Sequence, residues 1–286
     1  MQNGAMNPIN IDPFLLSALK EDITSEDITT NSIMPVSKYG SAQLICKQSG
    51  ILAGITVFSR VFELIDHGAQ FSTEFQDGDT ITGGTLIGII DGDVRGILSA
   101  ERTALNFLQR MSGIATLTRS YVDKLAGSKT KLLDTRKTTP NMRLFEKYAV
   151  KIGGAVNHRF NLSDGILIKD NHINAAGGVE NAVELARAYA PFVRKIEVEV
   201  ETLQMVEQAL IAKADIIMLD NMDTDMMINA INIIGKRAIT ECSGNITIER
   251  LEELASIGLD YISCGALTHS APIIDFSLKN LKVNEN

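Results

Sequence analysis

The chain contains no tryptophan, and Phe, Tyr and Trp together supply only 5% of its 286 residues. Aromatic platforms for stacking nucleic-acid bases are therefore scarce. The balance is acidic, with a formal net charge of −8 and a pI near 5.1, which argues against a non-specific nucleic-acid surface. Only three cysteines occur, Cys46, Cys242 and Cys264, far apart in sequence. An odd count at such spacing gives neither a disulfide framework nor a zinc site, so reduced thiols are expected. Cys264 on its own reads as a small packing residue. No apolar run reaches the roughly 18 residues that cross a bilayer. The opening MQNGAMNPINIDPF has neither the basic nor the apolar region of a signal peptide. A soluble, cytoplasmic protein is the expectation, with no nucleic-acid or membrane partner.

What the chain does have is enough apolar sequence for a large core, 45% of residues, and room for one large or two medium domains. Residues 14–19 form a short amphipathic segment, and the acidic EDITSEDIT after it reads as solvated. SAQLICKQSGILAG is strand-like, and VFSRVFELI is helical with Val57, Val61 and Leu64 on one face. Gly-punctuated strands follow, with Asp-Gly-Asp at 77–79 and 91–93 read as hairpin or bulge signals. This rhythm resembles the β-sandwich of lipoyl and biotinyl carrier domains. Carrier chemistry needs a lysine at a hairpin tip, and no lysine lies between Lys47 and Lys124, so that likeness is one of shape.

Residues 99–125 read as a helix capped by Ser99, with a break and a domain boundary at Gly113. That division gives an N-terminal domain of 1–113, onto which the tail 276–286 packs back, and a second domain of 114–275. Arg102 then falls in the first helical turn, where a cation opposes the helix dipole. Either an anion is held nearby or Arg102 is an ordinary exposed residue. Beyond residue 130 a unit recurs: short apolar strand, polar end, amphipathic helix. The strands are KLLD (131–134), ILIK (166–169), IEVEVE (196–201), IIMLD (216–220), AITEC (238–242) and YISCG (261–265). Two of the helices carry Val179, Val183, Ala186 and Ala190 on one face, and Leu203, Val206 and Leu210 on another. Such alternation means a parallel sheet covered by helices. A closed barrel of eight units takes about 250 residues, so an incomplete, open α/β barrel fits better. No GxGxxG follows the first strand, which counts against a dinucleotide fold.

Residues 131–169 carry eight Lys/Arg (131, 136, 137, 143, 147, 151, 159, 169) against three acids (134, 146, 164). A basic island in an acidic chain points to one discrete anionic ligand. Arg143, Lys147 and Lys151 recur at helical spacing and read as solvated helix residues. Arg136, Lys137, Arg159 and Lys169 sit near strand ends and read as functional. Polar groups gather at six successive strand ends: Asp134-Thr135-Arg136-Lys137, Lys169-Asp170, Glu199 and Glu201, Asp220-Asn221, Glu241 with Ser243-Gly244-Asn245, and Gly265-Ala266. In α/β barrels the site lies at that end. The last two, small and glycine-containing, suit a backbone-lined phosphate cradle. Glu199 and Asp220 end neighbouring strands and suit Mg²⁺ beside phosphate oxygens, or an ion-pair network with Lys169 and Lys137.

The motifs ERTALN, DTRKTTPNMR, NHR, GILIKDNH, EVE, MLDNM, ECSGN and ISCGALTHS, in this order over about 100–270, resemble those of quinolinate phosphoribosyltransferases. The resemblance implies an N-terminal α/β sandwich, an open α/β barrel of six or seven parallel strands, and a homodimer, with hexamers as a further assembly. It implies a pentosyl transfer: quinolinate and phosphoribosyl pyrophosphate give nicotinate mononucleotide, pyrophosphate and CO2, in de novo NAD biosynthesis. Arg136, His158 and Arg159 would hold the quinolinate carboxylates, and Arg102 would complete the partner's site. Lys169 would reach between the two substrates, Lys137 would contact the donor's phosphates, and Thr135 would be among the substrate-binding residues. Glu199 and Asp220 would bind ribose hydroxyls and Mg²⁺. Ser243, Gly244, Asn245, Cys264, Gly265 and Ala266 would cradle the 5′-phosphate. Lys137, Lys169, Glu199 and Asp220 are the expected catalytic set. Three other readings remain open on the sequence: a Schiff-base aldolase using Lys169, a non-catalytic phosphosugar- or nucleotide-sensing protein, and a fold relative acting in molybdenum transport or on the monocarboxylate nicotinate.

Overall fold

Every second residue of Tyr39–Cys46 (β1) is apolar or small, and Ala42, Leu44 and Cys46 are buried. That period of two makes a half-buried strand. In the computed structural model, which describes residues 6–284, β1 pairs antiparallel with two neighbours, Leu86–Asp93 (β5) and Phe276–Val283 (β12). Residues 1–5, where the reading of the N-terminus begins, and 285–286, at the end of the tail, lie outside the described residues. Gln70–Ser72 (β3) completes a four-stranded sheet in the order β12-β1-β5-β3. Gly50–Ile51 (β2) pairs separately with Thr80–Ile81 (β4). The second Asp-Gly-Asp is therefore strand rather than turn: Asp91–Asp93 continues β5 against β1. Gly92 is needed there because a Cβ would stand 2.9 Å from Asp66 Oδ2. The first Asp-Gly-Asp is a turn, with Gly78 at φ +101°.

The chain forms two units. The first is Met1–Arg119, Thr139–Gly154 and Ser270–Asn286; the second is Ser120–Thr138 and Ala155–His269. The few aromatics concentrate in the first. Ile55–Ile65 (α3) buries Val57, Phe58, Val61 and Phe62, with Phe58 edge-on to Phe62 and Phe71 at 5.0 Å between centroids. Leu64, expected on that face, is only part-buried. Each phenyl ring so buried contributes roughly 2–3 kcal/mol. Pro8–Asp22 (α1) buries Ile11, Leu15 and Leu19. The acidic segment after α1 is not all solvated: Asp27 caps Ile28–Ile33 (α2) by accepting from Thr30 N at 2.9 Å. It also accepts from the Ser99 hydroxyl at 2.9 Å.

Val94–Lys124 (α4) is one helix of 31 residues, running without a break through Gly113. Glycine stands at 113 because a Cβ would lie 1.9 Å from the Pro272 carbonyl oxygen. A close backbone approach, not a helix end, explains it. Ser99 thus lies inside the helix and does not cap it. Arg102 lies more than two turns from the start, so the dipole argument made for it does not apply. Arg143–Ile152 (α5) overturns a second expectation. Residues 145–150 are all buried, and Lys147 is 2% exposed rather than solvated. Beside it, the fully buried Glu146 accepts from Arg110 Nε and Nη2 at 3.1 and 2.9 Å and from Thr139 N at 3.1 Å.

In the second unit the strands are Lys131–Leu133 (β6), Ile166–Ile168 (β7), Ile196–Val200 (β8), Ile216–Asp220 (β9), Ile239–Ser243 (β10) and Tyr261–Ser263 (β11). All pair in parallel in the order β6-β11-β10-β9-β8-β7. Six strands form an open α/β barrel whose edges, β6 and β7, do not pair with each other. Capped helices cover the sheet. Thr202 caps Leu203–Ile211 (α8) and Asp223 caps Thr224–Ile234 (α9), through Met205 N and Met226 N at 3.2 and 2.8 Å. Such side-chain caps fix where each helix begins, just past its strand. Asp170–Ala176 (α6) and Val179–Tyr189 (α7) lie between β7 and β8, and α7 buries Val179, Ala182 and Val183. No helix among the described residues is long and apolar enough to cross a membrane.

Candidate active site

The carboxyl ends of the six strands surround a cavity of about 760 Å³, within the range of small-ligand sites. All its lining residues belong to the second unit. Alternation along the strands sets what faces it. Ile196, Val198 and Val200 of β8 are fully buried on one side of the strand, which turns Glu197 and Glu199 to the other. Glu199 reaches the cavity, as do Lys169 after β7, Asp220 at the end of β9, and Ser243, Gly244 and Asn245 after β10. Thr135, Arg136 and Lys137 follow β6, and Cys264, Gly265 and Ala266 follow β11. His158 and Arg159 complete the wall. The structure thus gathers the expected site residues in one place, with one exception. Arg102 is an exposed residue of α4 in the first unit and does not line this cavity. Asp170 and Glu201, also noted at strand ends, do not line it either.

The loop after β6 is fixed from below. Asp134, fully buried, accepts from His158 N at 2.8 Å and from Asn157 Nδ2 at 2.7 Å. Lys137 N donates to the Thr135 hydroxyl at 3.0 Å, and the Lys137 carbonyl accepts from Thr268 Oγ1 at 2.9 Å. Arg159 Nη1 donates to Gly165 O at 2.9 Å. Burial, and then the nearby charge of Arg136, lower the Arg159 pKa below that of a free guanidinium. Two guanidinium groups placed so close create a demand for anions, and their planar forks match carboxylates. In the same cavity Lys169 Nζ pairs with Glu199 Oε2 at 2.6 Å, one half of the ion-pair network considered above.

The wall at the ends of β9, β10 and β11 is built for close approach of a ligand. Gly244 has φ +92°, and Asn221 and Asn245 are also left-handed at +52° and +49°. A Cβ on Gly265 would stand 2.9 Å from Lys137 Cδ and 3.1 Å from His269 Nε2. Burial raises the Cys264 thiol above its usual pKa, and the residue is 2% exposed, so it is a packing group with a neutral thiol.

Beneath this layer lies a cluster that was not read from the sequence. His158 Nε2 is 3.1 Å from Glu197 Oε2 and 3.6 Å from Glu241 Oε2, both acids being buried. Their ligand-capable atoms all lie within 4.8 Å of one another. His158 Nδ1, however, accepts from Arg159 N at 2.7 Å. That bond assigns the neutral ring's proton to Nε2, so an N–H, not a lone pair, faces the two acids. The arrangement shares protons and does not offer a metal-ligating nitrogen. Burial first, and then the charge of Glu197, push the Glu241 carboxyl up to about 8. Glu197 sits one alternation below Glu199 in EVE, and that period of two was the available signal. His269, also missed, lines the cavity from inside the ISCGALTHS motif.

Compared with known proteins, residues 27–112 match the N-terminal domain of quinolinate phosphoribosyl transferase, and residues 114–279 its C-terminal domain. The chain belongs to the quinolinate phosphoribosyl transferase family. Among curated members, the probable nicotinate-nucleotide pyrophosphorylase [carboxylating] of Bacillus subtilis is 41% identical over 281 residues, covering 98% of this chain and 97% of that one. The corresponding protein of Synechocystis is 40% identical over 274 residues, covering 95% and 92%. The crystal structure of NadC from Streptococcus pyogenes superposes with a TM-score of 0.94 at 51% identity, covering 98% of this chain and 99% of that one. The two family domains meet near Gly113, inside the unbroken α4.

Proposed function

We propose that this chain is a decarboxylating quinolinate phosphoribosyltransferase of de novo NAD biosynthesis. It joins quinolinate to phosphoribosyl pyrophosphate and releases nicotinate mononucleotide, pyrophosphate and CO2. The observation that carries this reading is the polarity of one cavity. Arg136 and Arg159 lie close enough to feel each other's charge, and the glycine-containing ends of β10 and β11 line the same cavity. A planar dicarboxylate fits the first and a phosphate the second.

Arg136 and Arg159 hold the quinolinate carboxylates, with His158 beside them, and so aim the ring nitrogen at ribose C1. Lys137 and Lys169 face the leaving pyrophosphate. Glu199 and Asp220 stabilise the positive charge that C1 gains as its bond to pyrophosphate breaks. The nitrogen lone pair then forms the new bond to C1, leaving a cationic ring. The adjacent C–C bond breaks with loss of CO2, its electron pair stays on the ring carbon beside N⁺, and that carbon takes up a proton. Ser243, Gly244, Asn245, Gly265 and Ala266 hold the 5′-phosphate, with Cys264 packed next to them.

Mg²⁺ fits this donor set: Glu199 and Asp220 offer carboxylate oxygens on neighbouring strands, and the substrate's phosphates supply the rest. Bound there, Mg²⁺ would neutralise phosphate charge. We also read the protein as a homodimer in which Arg102 completes the partner's site. Apolar groups exposed beside the edge strand β7 and on or after α7 support it: Leu162, Leu185, Tyr189 and Phe192, the last 99% exposed. The buried free thiols fit a reducing, cytoplasmic compartment. Release of CO2 from quinolinate, measured against pyrophosphate, tests the reaction. Equal amounts are expected, both requiring the two substrates together. Pyrophosphate without CO2 would overturn the decarboxylating assignment.

A further inference from the structure

Asn221 is a left-handed residue, φ +52°, at the point where β9 ends. Asparagine tolerates that conformation, and a strand end is an ordinary place for it. Its side chain does more than tolerate the turn. Nδ2 donates to Asp220 Oδ2 at 2.7 Å, and Oδ1 accepts from Asn245 Nδ2 at 3.3 Å. Its backbone N donates to Ser243 O at 3.1 Å. Gly244 makes room for it: a Cβ on Gly244 would stand 2.2 Å from Asn221 Oδ1 and 3.0 Å from Asn221 N. One side chain therefore ties the carboxylate at the end of β9 to the loop at the end of β10.

We propose that Asn221 is a positioning residue for the phosphoribosyl donor, locking the Asp220 carboxylate and the Ser243–Gly244–Asn245 loop into one rigid unit. This rests on the reading of Asp220 as a ribose contact and of the loop as the 5′-phosphate cradle. The distance between those two subsites is then set by the amide of Asn221. Quinolinate, held by the arginines after other strands, does not depend on it. Asp220 is part-exposed at the cavity wall, so its orientation depends on such a bond. Loss of this hydrogen bond to a carboxylate would release it.

The test uses the full-length enzyme after wild type has been shown to make nicotinate mononucleotide; a wild type without activity would count against the proposed reaction instead. Asn221→Gly keeps the left-handed backbone and removes the amide. It is expected to raise the KM for phosphoribosyl pyrophosphate about tenfold and to leave the KM for quinolinate within about twofold. Asn221→Asp keeps shape and backbone but sets a second carboxylate against Asp220. It is expected to raise the donor KM further, again with little change for quinolinate, and it decides the matter if the glycine variant does not fold. Adding Asn221→Gly to Asp220→Ala should raise the donor KM by less than Asn221→Gly does alone, because part of the amide's action passes through Asp220. Equal rises in both KM values, an unchanged donor KM, or full multiplicativity with Asp220→Ala would overturn the proposal.

Discussion

Glu241 lies buried beside Glu197 and below His158, and its carboxyl has been pushed from the usual 4.5 up to about 8. Three groups face it: the Glu197 carboxylate, which raises its pKa, and His158 and the Ser263 hydroxyl, which lower it. Between pH 4.5 and about 8 the folded protein therefore holds a proton that the unfolded chain has released. A folded state that binds more protons loses stability as pH rises, by about 1.4 kcal/mol per pH unit for one whole proton. The contribution from Glu241 is greatest below pH 4.5 and is lost progressively up to about pH 8. Glutamine mimics the protonated acid in size and hydrogen bonding but has nothing to ionise. Glu241→Gln should match wild type at pH 5 within about 1 kcal/mol and exceed it by pH 9. Urea unfolding of both proteins at several pH values, read as the difference between them, is the assay. A difference that stays constant from pH 5 to 9 would refute the buried, protonated Glu241.

Arg136→Ala should raise the quinolinate KM by at least about tenfold, with the donor KM little changed; steady-state kinetics with each substrate varied decide it. Gly244→Ala should abolish most activity, because φ +92° and a Cβ 2.2 Å from Asn221 Oδ1 both strain the phosphate loop, and donor binding by calorimetry would show the loss directly. Cys264 should resist iodoacetamide at pH 8 in the folded protein, since burial keeps its thiol neutral and enclosed; rapid labelling, located by peptide mass, would contradict that. Arg102→Ala and Lys169→Ala proteins, each inactive, should regain activity when mixed and allowed to exchange subunits, because one mixed site lacks neither side chain. No recovery despite proven exchange would remove Arg102 from the partner's site.

The barrel and most of its mouth were legible because parallel strands impose a simple rule. Side chains alternate, and polar groups at the carboxyl ends face one cavity, so Lys169, Glu199, Asp220 and Ser243 were readable one strand at a time. What sequence hid came from tertiary contact. Gly113 looked like a helix breaker, but it admits the Pro272 carbonyl against α4. Lys147 looked solvated on a basic helix, yet α5 is buried through 145–150. Glu197 escaped because a buried acid is expected only where a partner waits, and its partners, His158 and Glu241, come from distant segments. Asn221 was noticed as polar but not as a link, since its bonds run to a neighbouring strand's loop. Ser99 and Arg102 were misplaced along α4 because the helix begins at Val94, straight out of β5, with no sequence signal to separate them.

The paired arginines, Arg136 and Arg159, should select a dicarboxylate over a monocarboxylate. Purified protein with Mg²⁺ and phosphoribosyl pyrophosphate should be given quinolinate in one reaction and nicotinate in another, with nicotinate mononucleotide followed by chromatography. Product from quinolinate alone is predicted. Product from nicotinate alone would contradict the account.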